Sequence, residues 1–279
     1  MLNKALITLK KNPMVILFFI LALVISAVPM IFLLPDINRI MTISNGIPNS
    51  TVNTPEINPT EVIEMLLASM KLLLFSLVTC AFDVIFVAGF GNMLAAAVNE
   101  GKASLKIFLF GIKKFFGKTL LSVLLLAAII FGFSLVISVI AIPFTLTNVL
   151  DSTLNPEAML KRQKVIQLIT GAITVFLYPF AVLWLPAIFL DRNDSVLACF
   201  RNAVKAGVKK YVTLLAAIAV MMLPVFVMFG FSKNIYSTIE PSFYIVMYIY
   251  QAAVMPILLT YLFTLYNNLR QLRPGYHSG

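Results

Sequence analysis

The chain is poor in the residues that carry out chemistry in water. It has one histidine, His277, two cysteines and one tryptophan among 279 residues. No HExxH, GxSxG or phosphate-loop pattern occurs, so the common zinc-hydrolase, serine-hydrolase and nucleotide-phosphate sites are excluded. An enzyme is therefore not expected, nor a cofactor, nor a metal site. Cys80 falls within an apolar run and Cys199 within a basic segment, which sets up neither a disulfide framework nor a zinc pattern. Charge is scarce as well. Only 11% of residues are charged, against about 25% in a soluble domain.

What fills the chain is apolar bulk. Hydrophobic residues make up 61%, phenylalanine appears 23 times, and the mean hydropathy is +0.98. A very greasy soluble protein would scatter these residues. Here they come in blocks of about 20, the length that crosses a bilayer. The blocks are Pro13 to Pro35, Met65 to Ala97, Thr119 to Pro143, Val165 to Leu190, Tyr211 to Phe231, and Phe243 to Tyr266. The expected fold is all-α: a single integral membrane domain, 1–279, of six spans. The first block follows lysines, as a signal peptide would, with cleavage near Ala27 as the alternative. Its length favours a retained span.

Net charge is +10, with 21 basic and 11 acidic residues. The cations lie in short connections, so anionic lipid headgroups are the expected partner and nucleic acid is not. Alternate sides carry unequal numbers. One side has Lys4, Lys10, Lys11, Lys102, Lys106, Lys113, Lys114, Lys118, Arg192, Arg201, Lys205, Lys209, Lys210, Arg270 and Arg273. The other has only Arg39, Lys161, Arg162, Lys164 and Lys233. The excess places both termini in the cytoplasm. The cluster at 161–164 lies against that trend.

Three basic segments precede spans: LNKALITLKK, 103–116 and 195–211. In 103–116, Leu105, Phe108, Leu109, Ile112 and Phe116 recur at helical spacing opposite Lys106 and Lys113. In 195–211, Leu197, Phe200, Val204, Val208 and Tyr211 form an apolar stripe beside Arg201, Lys205 and Lys209. Each is expected to be a helix lying in the headgroup region. GIKKF at 111–115 and GVKKY at 207–211 suggest a repeated unit, with copies at 2–97, 103–190 and 195–270. The bland reading is that any protein obeying the positive-inside rule gathers lysines before its spans.

Few polar residues fall inside the spans. Asp83 lies mid-span, where a carboxylate is expensive and is expected to face the bundle interior or a wet cavity. Tyr178, Tyr248, Tyr250, Gln251 and Tyr261 are candidate partners; Tyr178 and Gln251 join Asp83 as the residues of a conceivable substrate or ion pathway. A structural, hydrogen-bonded role for Asp83 competes with that. Lys71 should snorkel outward. Pro179, Pro186, Pro224 and Pro256 can kink spans, and Gly89, Gly91 and Ala95 permit close helix packing. Asp191 and Asp194 could be imagined as a metal pair, but no third ligand accompanies them. Capping of the following helix by Asp194 or Ser195 explains them better. Residues 36–62, 144–164 and 232–242 read as outer connections; Asn49-Ser50-Thr51 in the first is an acceptor triplet of a common kind.

LPAIFLDRNDSVLACFRNAVKAGVKKY, followed by an apolar run, resembles the bacterial membrane domain also found fused to glycerophosphodiester phosphodiesterases. Pro186, Asp191, Ser195, Phe200, Arg201 and Lys205 carry the likeness, with Tyr266 and Arg270 in the closing YLFTLYNNLR. The resemblance implies a multi-pass fold in a bacterial plasma membrane. The phosphodiesterase barrel is absent, so no catalysis is implied. Two functions stay open: a membrane scaffold or accessory subunit that binds lipid or a membrane protein partner, and a small-solute or lipid transporter.

Overall fold

The computed structural model describes residues 1–46, 59–151, 179, 182–231 and 241–272. Among them the structure is all-helical, with no strand. The helices are α1 (Leu2–Lys11), α2 (Pro13–Gly46), α3 (Pro59–Glu100), α4 (Leu105–Asp151), α5 (Trp184–Leu190), α6 (Val196–Lys209), α7 (Tyr211–Phe231) and α8 (Pro241–Gln271). Among the described residues three stretches are long and apolar enough to cross a membrane: Val62–Glu100, Leu105–Phe133 and Tyr248–Gln271. A fourth counts if α1 and the first part of α2 are taken as one broken span.

The chain turns by 86° between α1 and α2. Pro13 causes the turn. It has no N–H to continue α1, and it pushes the preceding residue out of helical geometry. Asn12 fills the corner at φ −129°, ψ 66°, and its side-chain amide donates to Thr8 O at 2.9 Å. The same proline then opens α2, where a missing N–H costs nothing. Helix α1 buries Ala5 and Leu9 and leaves Lys4, Lys10 and Lys11 exposed.

The expected separate helix at 103–116 does not form as such. It is the first part of α4, which continues without a break to Asp151. No proline stands between Phe116 and Leu121, and the helix runs through Gly117 and Thr119; the Ser122 hydroxyl donates back to Lys118 O at 2.7 Å within the same helix. Helix α4 also passes the expected span end at Pro143. Likewise α2 runs beyond Pro35 to Gly46 and α3 begins at Pro59, so most of the expected loop 36–62 is helical at its two ends. The expected span Val165–Leu190 and the 161–164 cluster lie largely or wholly outside the described residues; of that span α5 is the described helix.

The packed core gathers at the basic end of the bundle. It joins Val15 and Phe18 of α2, Ala88 to Ala97 of α3, Phe115 of α4, most of α5, Cys199 and Ala203 of α6, Leu214 of α7, and Leu258 to Tyr266 of α8. Helix α3 is the hub, packed most extensively on α4 and α2. Its small residues permit this: a Cβ on Gly91 would strike the Phe189 ring, and one on Gly89 would strike Phe108. Close backbone approach is how helices gain dispersion energy where lipid removes the hydrophobic drive between them. Away from this end the apolar residues lie bare. Met70, Leu73, Leu74, Leu77 and Val78 of α3 are each 60–68% exposed and form one broad apolar face at helical spacing. Helix α3 spans about 63 Å at 1.5 Å per residue, roughly twice the hydrocarbon thickness of a bilayer. It is longer than a bilayer crossing requires, as is its apolar run. Lys71, expected to snorkel freely, instead meets Asp36 of α2 at 3.6 Å.

Candidate functional site

The most organised polar group is the turn between α5 and α6, LDRNDS. Helix α5 ends at Asp191, whose N–H bonds Ala187 O at 2.9 Å. Ser195 then caps α6 by accepting from the Ala198 N–H at 3.3 Å. Ser195 rather than Asp194 is thus the cap. Asp194 instead accepts from Asn202 at 3.0 Å.

Two cations from distant sequence close over the end of α5. Lys118 of α4 donates to Ile188 O at 3.1 Å and to Asp191 O at 2.9 Å. Arg270 of α8 donates to Leu190 O. A helix end leaves carbonyls without partners and carries partial negative charge, so two cations there satisfy both needs. The Asp191 carboxylate completes the group. Its Oδ2 accepts from the Tyr266 hydroxyl at 2.6 Å and from Asn202 at 3.1 Å, and its Oδ1 lies 3.9 Å from Arg270. The Asp191 and Arg270 side chains are only 6% and 10% exposed. This arrangement ties α4, α5, α6 and α8 together. Every oxygen of Asp191 is engaged, which is the chemistry of a clamp. No group of three or more metal-ligating side chains occurs among the described residues.

In the sequence Tyr266 stands out by the resemblance and Arg270 by the resemblance and the charge count; neither signal pairs them with Asp191. Lys118 and Asn202 were missed as members of the clamp. Their signal in the sequence is slight: one more lysine in a lysine-rich segment, and one asparagine seven residues after the cap.

Cys199 sits inside this site, with Sγ 3.7 Å from Asp191 O. Burial pushes its thiol above the usual range, outweighing the opposing pull of Lys118. The thiolate is the reactive form, so Cys199 stays protonated and inert to higher pH than a free cysteine. In detergent at neutral pH, a maleimide is expected to modify exposed Cys80 and to spare Cys199 until the protein is denatured. Equal labelling rates at the two cysteines, followed by mass spectrometry of the peptides, would contradict this burial.

Helix α6 turns its small residues inward and leaves Leu197 and Val208, two members of the stripe expected to face lipid, on the outside. Val196, Cys199, Ala203, Ala206 and Gly207 are buried, while Leu197 and Val208 of the expected stripe are exposed and Phe200 is half-buried against Trp184. The small residues win because they let α6 lie close on the core. Arg201, Lys205, Lys209 and Lys210 remain exposed, as do Lys106, Lys113 and Lys114 on α4. Lys114 lies 5.7 Å from the centres of both the Phe110 and Phe115 rings.

Of the pathway residues, Asp83 and Gln251 are described. Asp83 is exposed on α3 and does not face the bundle interior. Gln251 is half-buried on α8, with no hydrogen bond to Asp83; Tyr178 lies outside the described residues. Tyr250 spends its hydroxyl on Val220 O of α7. A cleft of about 220 Å³ does open between α2, α3, α5 and α8, but Asp83 is not in its wall. The wall is almost wholly apolar, formed by residues such as Phe19, Leu23, Phe86, Phe90, Leu259 and Phe263. Its one hydroxyl, Ser26, donates to Ala22 O at 2.9 Å within α2.

No family model, curated protein or solved structure matches the chain.

Proposed function

We propose that this chain is a multi-pass integral membrane protein that serves as a scaffold or accessory subunit, binding lipid or a membrane protein partner. The reading includes six spans, both termini on the cytoplasmic side of a bacterial plasma membrane, and basic helices lying on anionic headgroups. One observation carries the functional part: among the described residues the polar group around Asp191 holds helices together, while the cleft between α2, α3, α5 and α8 is apolar. A conduit for a polar solute needs hydrophilic groups along its path. Here Asp83 stands apart from the cleft and the buried carboxylate, Asp191, is fully engaged.

The exposed surface agrees with a lipid-facing scaffold. Apolar side chains surround the outer part of α3, and α1 and α6 combine exposed lysines and arginine with exposed Leu6, Ile7, Leu197 and Val208. That mixture suits the boundary between headgroups and acyl chains. The repeat of three hairpins belongs to the same proposal. Gly111 and Gly207 are both buried and the lysine pairs after them both exposed, which supports local equivalence of two copies.

Reconstituted liposomes test the choice between scaffold and transporter. With ion-sensitive dyes inside, proton and potassium flux is expected to stay at the level of protein-free vesicles, with Asp83→Asn indistinguishable from the native chain. A saturable flux that Asp83→Asn removes would replace the scaffold with the transporter.

A further inference from the structure

The apolar cleft lies at a defined depth below a basic corner. Along α2 its wall begins at Phe19 and reaches Ser26, about 10 to 20 Å from the Asn12 corner at 1.5 Å per residue. One leaflet of a bilayer is about 15 Å of hydrocarbon, half of the full thickness. Above the cleft, the 86° turn swings α1 away from the axis of α2 and sets Lys10 and Lys11 in its last turn. Both are exposed, as is Lys4. The volume, about 220 Å³, exceeds the roughly 150 Å³ of an engineered apolar cavity that takes up benzene. The cleft is only half enclosed, so a long chain can enter from the side.

We propose that this cleft holds one acyl chain of an anionic phospholipid, whose headgroup rests against the lysines of the α1–α2 corner. The inference builds on the membrane reading above and names the lipid site within it. The apolar wall supplies no partner for a polar ligand, since the Ser26 hydroxyl is already donated within its own helix. The aromatic residues offer flat, rigid surface to a methylene chain. The lysines attract an anionic headgroup, which distinguishes phosphatidylglycerol from phosphatidylcholine.

Trp184, the only tryptophan, reports on the site because it is buried next to Leu185 of the cleft wall. In vesicles of phosphatidylglycerol with brominated acyl chains, its fluorescence should be quenched. Ala22→Phe, which fills the cleft from its α2 wall, should abolish most of that quenching while leaving the circular dichroism spectrum unchanged. Native mass spectrometry of detergent-purified protein supplies an independent readout: one retained phospholipid on the native chain, none on Ala22→Phe. Lys10→Gln with Lys11→Gln should reduce the preference for phosphatidylglycerol over phosphatidylcholine severalfold and keep the chain site. Quenching equal in native protein and Ala22→Phe, or no retained lipid on the native chain, overturns the proposal. Failure of the membrane reading has a separate signature, release of the native protein from membranes by alkaline carbonate.

Discussion

Asp191→Leu is expected to destabilise the folded protein by about 3–5 kcal/mol, the usual cost of removing one partner from a buried charge pair. The variant strands Arg270 beside an apolar side chain and takes the acceptor from the Tyr266 hydroxyl, at a place where both residues are buried. Neither can turn to water without opening the junction of α5, α6 and α8. Detergent-mediated unfolding followed through Trp184 measures the change, because that indole packs on Phe200 of α6 with ring centres 4.9 Å apart. Asp194→Leu is the comparison. Asp194 is exposed and shares Asn202 with Asp191, so its loss should cost about 1 kcal/mol or less, as for other weak surface contacts. A double variant, Asp191→Leu with Arg270→Leu, should recover part of the loss, since it removes the stranded charge. If Asp191→Leu unfolds within about 0.5 kcal/mol of the native chain, the scatter of surface substitutions, the clamp is not what joins these helices.

Gly111→Ala and Gly117→Ala should move stability in opposite directions, although both glycines lie in α4. A Cβ at Gly111 would sit 2.9 Å from the Ala88 carbonyl oxygen and 2.6 Å from Asn92 Cβ, on the facing helix α3. Backbone cannot step aside as a flexible side chain can, and Asn92 is itself tied to α4 by donating to Ile107 O at 2.9 Å. Overpacking of this kind costs about 1–3 kcal/mol. At Gly117 nothing lies within 4 Å, so the methyl meets open space. Alanine there gains helix propensity of up to about 1 kcal/mol. The same unfolding assay reads both. Equal effects at the two positions would show that α3 and α4 are not in the close contact that Gly111 allows.

These cases show where the sequence was informative. The first corner of the chain was legible in Asn12-Pro13, because proline acts on its immediate neighbours whatever surrounds it. The cap at Ser195 was legible for the same reason. The continuous α4 was not. Amphipathic spacing in 103–116 is the same whether the helix lies in the headgroups or leads into a span, and only a local breaker would have separated them. On α6 the spacing puts Leu197 and Val208 on a stripe facing lipid, and both are exposed; the inward face of Cys199, Ala203 and Gly207 is not legible, because close packing there selects small residues over apolar bulk. Asp83 drew attention as a charge in an apolar run, yet the carboxylate that other helices converge on is Asp191, in a turn where an acid excites little interest.

The sequence alone determined the class of the protein: apolar blocks of bilayer length, too little charge to cover a soluble globule, and lysines gathered before the spans. Those are properties of composition and near-neighbour spacing, and they act before any helix meets another. The tertiary structure decided which polar groups matter. Lys118, Asp191 and the Tyr266–Arg270 pair of α8 are separated by tens of residues in the chain and joined only when α4, α5 and α8 converge. A hydrogen bond of 3 Å depends on position in space, and no periodicity along the chain specifies it.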